Sequence, residues 1–255
     1  MVKLKTDTSI EAMRETGRVV AQLLTAVREA AEVGVSLREL DEVARVVLRD
    51  AGAGSPFLNY RPHFAPTPFP AVICASVNDA IVHGIPTDQR LRDGDLVSID
   101  AGATLHGWAG DSAVSFVVGR ARPADTRLVE TAFEALEAGI AAAVVGNRIG
   151  DIAHAIGTVC RGAGYGIPEG FGGHGIGRSM HEDPAVPNEG RPGRGMPLRH
   201  GMVLAIEPML IGGGNDAFHP DRDGWTLRTS DGSRAAHAEH TVAITDDGPR
   251  ILTAL

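Results

Sequence analysis

Residues 96–118 read Leu96-Val-Ser-Ile-Asp100-Ala-Gly-Ala-Thr-Leu105-His-Gly-Trp-Ala-Gly110-Asp111-Ser-Ala-Val-Ser-Phe-Val-Val118. Two apolar, β-branched stretches flank a glycine-bearing centre, which predicts strands over 96–100 and 111–118 joined by a loop holding Gly102, Gly107 and Gly110. In an extended chain Leu96, Ser98 and Asp100 face one way while Val97 and Ile99 face the other, so Asp100 ends a polar face in an apolar strand. Asp111 shares its face with Ala113 and Ser115. A hairpin brings the two carboxylates together, and they repel unless a proton or a cation lies between them. Taken alone, an Asp-x10-Asp pair is read more readily as two aspartates that end strands and cap turns.

Upstream, Thr8 with Glu11 forms a capping-box pattern, and Ile10, Met13, Val20, Leu23, Leu24 and Val27 follow helical spacing to about residue 31. Ser36 with Glu39 opens a second helix bearing Leu37, Leu40, Val43 and Val47, closed by Gly52 and Gly54. Downstream the order restarts after Pro123, with helices over 126–145 and 149–161, then strands over 203–206 and 239–244. Ala30, Ala31, Gly34, Arg49, Ala51, Gly52, Gly54 and Pro56 recur 112 positions later as Ala142, Ala143, Gly146, Arg161, Ala163, Gly164, Gly166 and Pro168. An α+β fold follows, a single domain over 1–255 built from halves at roughly 8–118 and 123–245, with a cleft between them for a site.

A formal charge of −8 repels phosphate backbones, and Arg120, Arg122 and Arg127 read as a solvated helix entry, so a nucleic-acid partner is not expected. Cys74 and Cys160 are too few for a disulfide framework and suit a reducing compartment. Met1-Val-Lys-Leu-Lys-Thr lacks an apolar run behind its basic residues, and no stretch approaches 18 apolar residues, so the expected location is the cytoplasm rather than a membrane.

Three further features join the aspartate pair. Gly172-Gly-His174-Gly-Ile-Gly177 places a histidine where backbone can approach a ligand closely. Ala205-Ile-Glu207-Pro and Ala238-Glu239-His-Thr each put a glutamate beside an apolar strand, where burial requires compensation. Asp100, Asp111, Glu207, Glu239 and His174 make an oxygen-rich donor set with one imidazole, suited to Mn, Fe(II), Co or Zn. Four carboxylates are balanced by two divalent ions, whereas one ion leaves two negative charges in a low-dielectric cleft. With ions about 3.5 to 4 Å apart, a shared water loses a proton to become the nucleophile. His83 and His181 each precede a turn and are candidate hydrogen-bond donors or structural residues. His63, His106, His154, His200, His219, His237 and His240 have no comparable context.

Val82-His83-Gly-Ile-Pro, Ser98-Ile-Asp100-Ala-Gly with Gly110-Asp111, Gly173-His174-Gly-Ile-Gly, Met180-His181-Glu, Ala205-Ile-Glu207-Pro-Met and Glu239-His-Thr together resemble the type I methionine aminopeptidases, in order and spacing, over nearly the whole chain. The resemblance implies the pita-bread fold, two pseudo-symmetric halves around a dinuclear site. It implies that Asp100 chelates one ion, that Asp111 and Glu239 bridge both, and that His174 and Glu207 complete the second. It further implies Glu207 as proton shuttle, His83 on the scissile amide and His181 on the carbonyl oxygen. It gives two divalent cofactors, nascent polypeptide N-termini as substrate with a small second residue preferred, the ribosome exit region as a partner, and a monomer. Phe69, Cys74, Met180 and Trp225, with His83 at the edge, are the implied methionine pocket, although core packing explains apolar residues equally well. The chain departs from the common pattern at Phe69 and Met180, where many members carry Tyr and Phe, at Gly173 for a frequent Cys, and at Ala109 for a frequent His. The proline-rich run over 61–70 has no assigned consequence.

Two rivals share the resemblance. Proline-specific relatives carry an added N-terminal domain, and type II methionine aminopeptidases carry an insertion between the last two acidic ligands, where only 31 residues separate Glu207 from Glu239 here. A non-catalytic binding protein on the same scaffold is the third reading, disfavoured because all five donor positions and both histidines are filled.

Overall fold

Two long helices lead the chain, α1 (Asp7–Ala30) and α2 (Leu37–Asp50), followed by β1 (Ile73–Val77), β2 (Ala80–Val82), β3 (Leu96–Leu105) and β4 (Trp108–Val117). The order then repeats with α3 (Pro123–Ala142) and α4 (Ile149–Gly162), β5 (Gly172–Gly175), β6 (Glu182–Pro187), β7 (Val203–Ile206) and β8 (Met209–Ile211). Short strands complete it: β9 (Phe218–Pro220), β10 (Leu227–Thr229), β11 (Ala235–His237), β12 (Glu239–Thr245) and β13 (Gly248–Ile251). This computed structural model describes residues 2–62 and 65–255, so His63 and Phe64 of the proline-rich run lie outside the described residues.

The helices begin close to where their sequence signals place them. At α2 the Ser36 and Glu39 capping box forms as read. At α1 the cap is Thr6 rather than Thr8, because the Thr6 hydroxyl is the one that accepts from a first-turn amide, that of Ser9. The buried stripes of α1 and α2 pack with the β1 and β3 side chains into one core, and those of α3 and α4 pack with β7 and β12 into another.

Turn geometry repeats at the spacing seen in the sequence. Gly34 and Gly146 take φ of 94° and 98°, and Gly52 and Gly164 take 64° and 81°. Isolated bridges recur in step, Ser36 with Arg90 and Arg148 with Pro197, then Gly54 with Thr104 and Gly166 with Ile211.

The main sheet runs β1-β3-β4-β12-β7-β5-β6, with β13 paired to β12. The β3–β4 hairpin is longer than its sequence suggests. Both strands span ten residues and turn at His106 and Gly107, with φ of 51° and 75°. Gly102 and Gly110 therefore belong to strands rather than to the loop. A Cβ on Gly102 would meet the Met180 Cε at 2.5 Å and the Pro56 Cγ at 2.8 Å, so close approach explains that glycine.

Candidate metal centre

Sheet register assembles the donors. Across β1, β3, β4 and β12, Cys74 pairs with Asp100, Asp100 with Ala113 and Ala113 with Glu239. Glu207 follows Ile206, the partner of His240, and so comes beside Glu239. A second row lies two residues away: Gly102 pairs with Asp111, the Asp111 amide and carbonyl hydrogen-bond the Thr241 hydroxyl, Thr241 pairs with Ala205, and Ala205 with His174. Directly opposed residues share a face, and so do residues two apart. All five donors thus emerge on one face, with Ala113, Gly102 and Ala205 leaving space between them.

The cluster is largely buried and polar. Asp111 and Glu239 are buried, and among the described residues the buried side-chain atoms without a hydrogen-bond partner include Asp100 Oδ1, Asp111 Oδ1, Glu239 Oε1 and His237 Nε2. Such orphans are rare in native proteins and mark a place where a ligand or ion is missing from the partner count. Burial pushes the Asp100 carboxyl up to about 7 and Glu207 up to about 8, and burial followed by mutual repulsion holds Asp111 and Glu239 well above the usual carboxylate range. Divalent cations would reverse that balance by giving each carboxylate a charged partner.

His174 is prepared as a donor. Its Nδ1 lies 2.9 Å from the Gly175 carbonyl, which takes the ring N–H and leaves the Nε2 lone pair free. That Nε2 is 3.6 Å from Glu207 Oε1 and 3.9 Å from Asp111 Oδ2. Burial lowers the imidazole to about 4, keeping it neutral. Three-atom groups within 4.8 Å of one another occur as Asp111, His174 and Glu239, and as Glu207, His237 and Glu239. His237 carried no signal of its own in the sequence. The one available clue was alternation, which puts residue 237 in step with Glu239.

A cavity of about 320 Å³ opens above the donors. Phe57, Tyr60, Phe69, Cys74, Phe171 and Trp225 supply its apolar wall. Trp225 meets Phe69 edge-on with centroids 5.0 Å apart, and its indole N–H donates to the Thr67 carbonyl at 3.0 Å. Of the expected pocket residues, Phe69, Cys74 and Trp225 line this cavity. Met180 does not: it packs against the cluster of Ile10, Met13 and Ile176, with its Cε beside Gly102. Phe57, Tyr60, Phe171 and Met209 were not legible in advance.

His83 and His181 both line the cavity. His83 adopts φ of 60°, a strained value for a side-chain-bearing residue, and is followed by Gly84, whose amide donates to the Ser76 hydroxyl at 3.1 Å. Burial, then the nearby His237 and His181, lowers it to about 4. His181 stacks under Tyr60 at 5.6 Å and lies 4.3 Å from the His174 ring. Its neighbour Glu182 accepts from Lys5 Nζ at 2.8 Å and from the Ser179 amide at 3.2 Å, a buried ion pair that ties the His181 loop to the N-terminal arm. The remaining departures have local causes. A Cβ on Gly173 would come 2.0 Å from the Ala205 carbonyl, so the strand spacing here demands glycine, and Ala109 is buried with Ile10, Met13 and Ile176 away from the cavity.

Comparison with known proteins gives four findings. The metallopeptidase family M24 model matches residues 11–246. Methionine aminopeptidase 1 of Mycobacterium tuberculosis is 56% identical over 251 residues, covering 96% of this chain and 92% of that protein. The crystal structure of methionine aminopeptidase from Thermotoga maritima superposes with a TM-score of 0.95 at 38% identity, covering 100% of each chain. Prolidase from Pyrococcus furiosus shares the fold alone, with a TM-score of 0.77 at 23% identity over 99% of this chain and 65% of that one.

Proposed function

Because this chain belongs to metallopeptidase family M24, we infer from its site and its relatives that it is a metal-dependent aminopeptidase removing the N-terminal methionine from proteins. The observation that carries the reading is the pair of donor rows, with their unpartnered buried oxygens, beneath a largely apolar cavity with room for a methionine side chain.

In this reading Asp100, Asp111, His174, Glu207 and Glu239 hold two divalent ions, since four carboxylates need four compensating charges. The ions would supply Lewis acidity toward the scissile carbonyl and a nucleophile drawn from water near neutral pH. Glu207 accepts a proton from the attacking water and returns it to the departing amine, a role allowed by its place beside Glu239 and His174 at the cavity floor. His181 donates a hydrogen bond to the carbonyl oxygen as negative charge develops there. His83, neutral and aimed at the cavity, hydrogen-bonds the scissile amide. The substrate's free amine lies beside Asp100, so the cut falls after the first residue only. Phe57, Phe69 and Trp225 enclose the methionine and exclude water. A small second residue, nascent chains at the ribosome exit, a cytoplasmic location and a monomeric state complete the proposal. No helix among the described residues is long and apolar enough to cross a membrane.

Peptide hydrolysis with added Mn, Co or Fe(II) tests it. Methionine should be released from Met-Ala-Ser and nothing from Xaa-Pro-Ala. Proline-directed cleavage would move the chain to the prolidase group, and silence with every metal would favour a binding module.

A further inference from the structure

His237 lies on β11 with its side chain fully enclosed, and nothing in the five-donor scheme uses it. Its backbone is clamped: the amide donates to Ser115 Oγ at 2.9 Å, Ser115 Oγ donates back to its carbonyl at 2.7 Å, and Ser98 Oγ lies 2.7 Å from the same hydroxyl. The backbone that carries the ring is thus held by two serines, one from each of β3 and β4.

Its Nε2 is 3.5 Å from Glu207 Oε2 and 3.9 Å from Glu239 Oε2, and makes no hydrogen bond. These separations exceed those of an N–H···O bond. The 3.5 Å separation from Glu207 matches the spacing of donors around a shared ion, because two atoms each about 2.1 Å from one cation, at angles near 90° to 110°, are about 3 to 3.5 Å apart. The 3.9 Å separation from Glu239 corresponds to a wider angle of about 136°. The comparison with His174 is internal. That imidazole has Nε2 at 3.6 and 3.9 Å from its two carboxylates, so Glu207 presents Oε1 to one ring and Oε2 to the other.

Resting on the metal-site reading, we propose that His237 is a sixth metal donor, placing a second imidazole on the Glu207 and Glu239 side of the pair. A set with two imidazoles tilts preference from Mn toward Co, Fe(II) and Zn relative to a set with one.

The test is X-ray absorption on the full chain loaded with two equivalents of Zn(II) or Co(II), together with calorimetry of His237→Gln. Wild type should show imidazole scattering equal to two rings per ion pair, falling to one in the variant. Affinity for one ion should drop about tenfold or more while the other is kept. Gln restores a hydrogen-bond donor but not an imidazole, so unchanged isotherms in His237→Gln, or one ring per pair in wild type, would overturn the proposal. The wild-type ring count decides the matter even if the variant does not fold. Absence of any ion binding by wild type would overturn the metal-site reading itself, a distinct failure.

Discussion

At the floor of the cavity, Asp100, Asp111, His174, Glu207 and Glu239 stand on or directly beside paired strands, and register fixes each against the next. At the mouth, Phe57, Tyr60, Phe69 and Trp225 stand on loops and are held by ring contacts and one indole hydrogen bond. The floor is held by strand pairing, rich in carboxyls and short of partners. The mouth is apolar and nearly complete in itself. The difference teaches that reactivity and selectivity are carried by separable parts of this molecule, so changes to one should leave the signature of the other intact.

The largest expected effect comes from the floor. Glu207→Gln and Asp100→Ala should each remove turnover about a thousandfold or more, with the circular dichroism spectrum unchanged. Full activity in either would sink the proposed site. At the mouth, Trp225→Ala removes a buried indole that packs on Phe69, and a loss of about 2 kcal/mol of binding corresponds to a rise in KM of about 30-fold. Its kcat should change far less, and a kcat loss matching that of Glu207→Gln would erase the separation of floor from mouth.

Between the two parts lies the Lys5 and Glu182 pair. Lys5→Met leaves Glu182 buried without its cation and loosens the loop carrying His181, so kcat should fall about tenfold and thermal stability should drop as well. On a His181→Ala background the kcat effect should vanish while the stability effect persists. Additive kcat losses would show that Lys5 acts elsewhere.

The smallest effect is one of pH on the metal-free chain. Asp100 and Glu207 have folded-state values near 7 and 8, above their ordinary values near 4. The folded chain therefore binds more protons than the unfolded one between these limits. Their contribution to stability is fully present below about pH 4 and is lost as pH rises through 7 to 8. Melting temperature should fall from pH 5.5 to 8.5, and Mn(II) should flatten that fall. Trp225→Ala should keep the slope, whereas Asp100→Asn should shrink it.

What could be read beforehand follows the same division. Asp100 was visible because alternation places a carboxylate on an apolar strand, and the Gly-rich setting of His174 and the strand-end positions of Glu207 and Glu239 carried similar signals. The duplicated helix pairs were visible as recurring Gly and Ala closures. Phe57 and Tyr60 were not, because loop residues have no period to betray which way they face. Met180 was placed in the pocket by resemblance alone, and its side chain instead fills the space above Gly102. His237 was missed because its two-residue offset from Glu239 spans a break between strands, where alternation is a weak guide.

The claim that the floor is built for a pair of divalent ions is tested most directly by titrating the metal-free chain with Mn(II) or Co(II), following heat and methionine release from Met-Ala-Ser together. Binding should saturate at two ions per chain, with turnover appearing as the ions bind. Saturation at a single ion, or full turnover in the presence of a strong chelator, would contradict it.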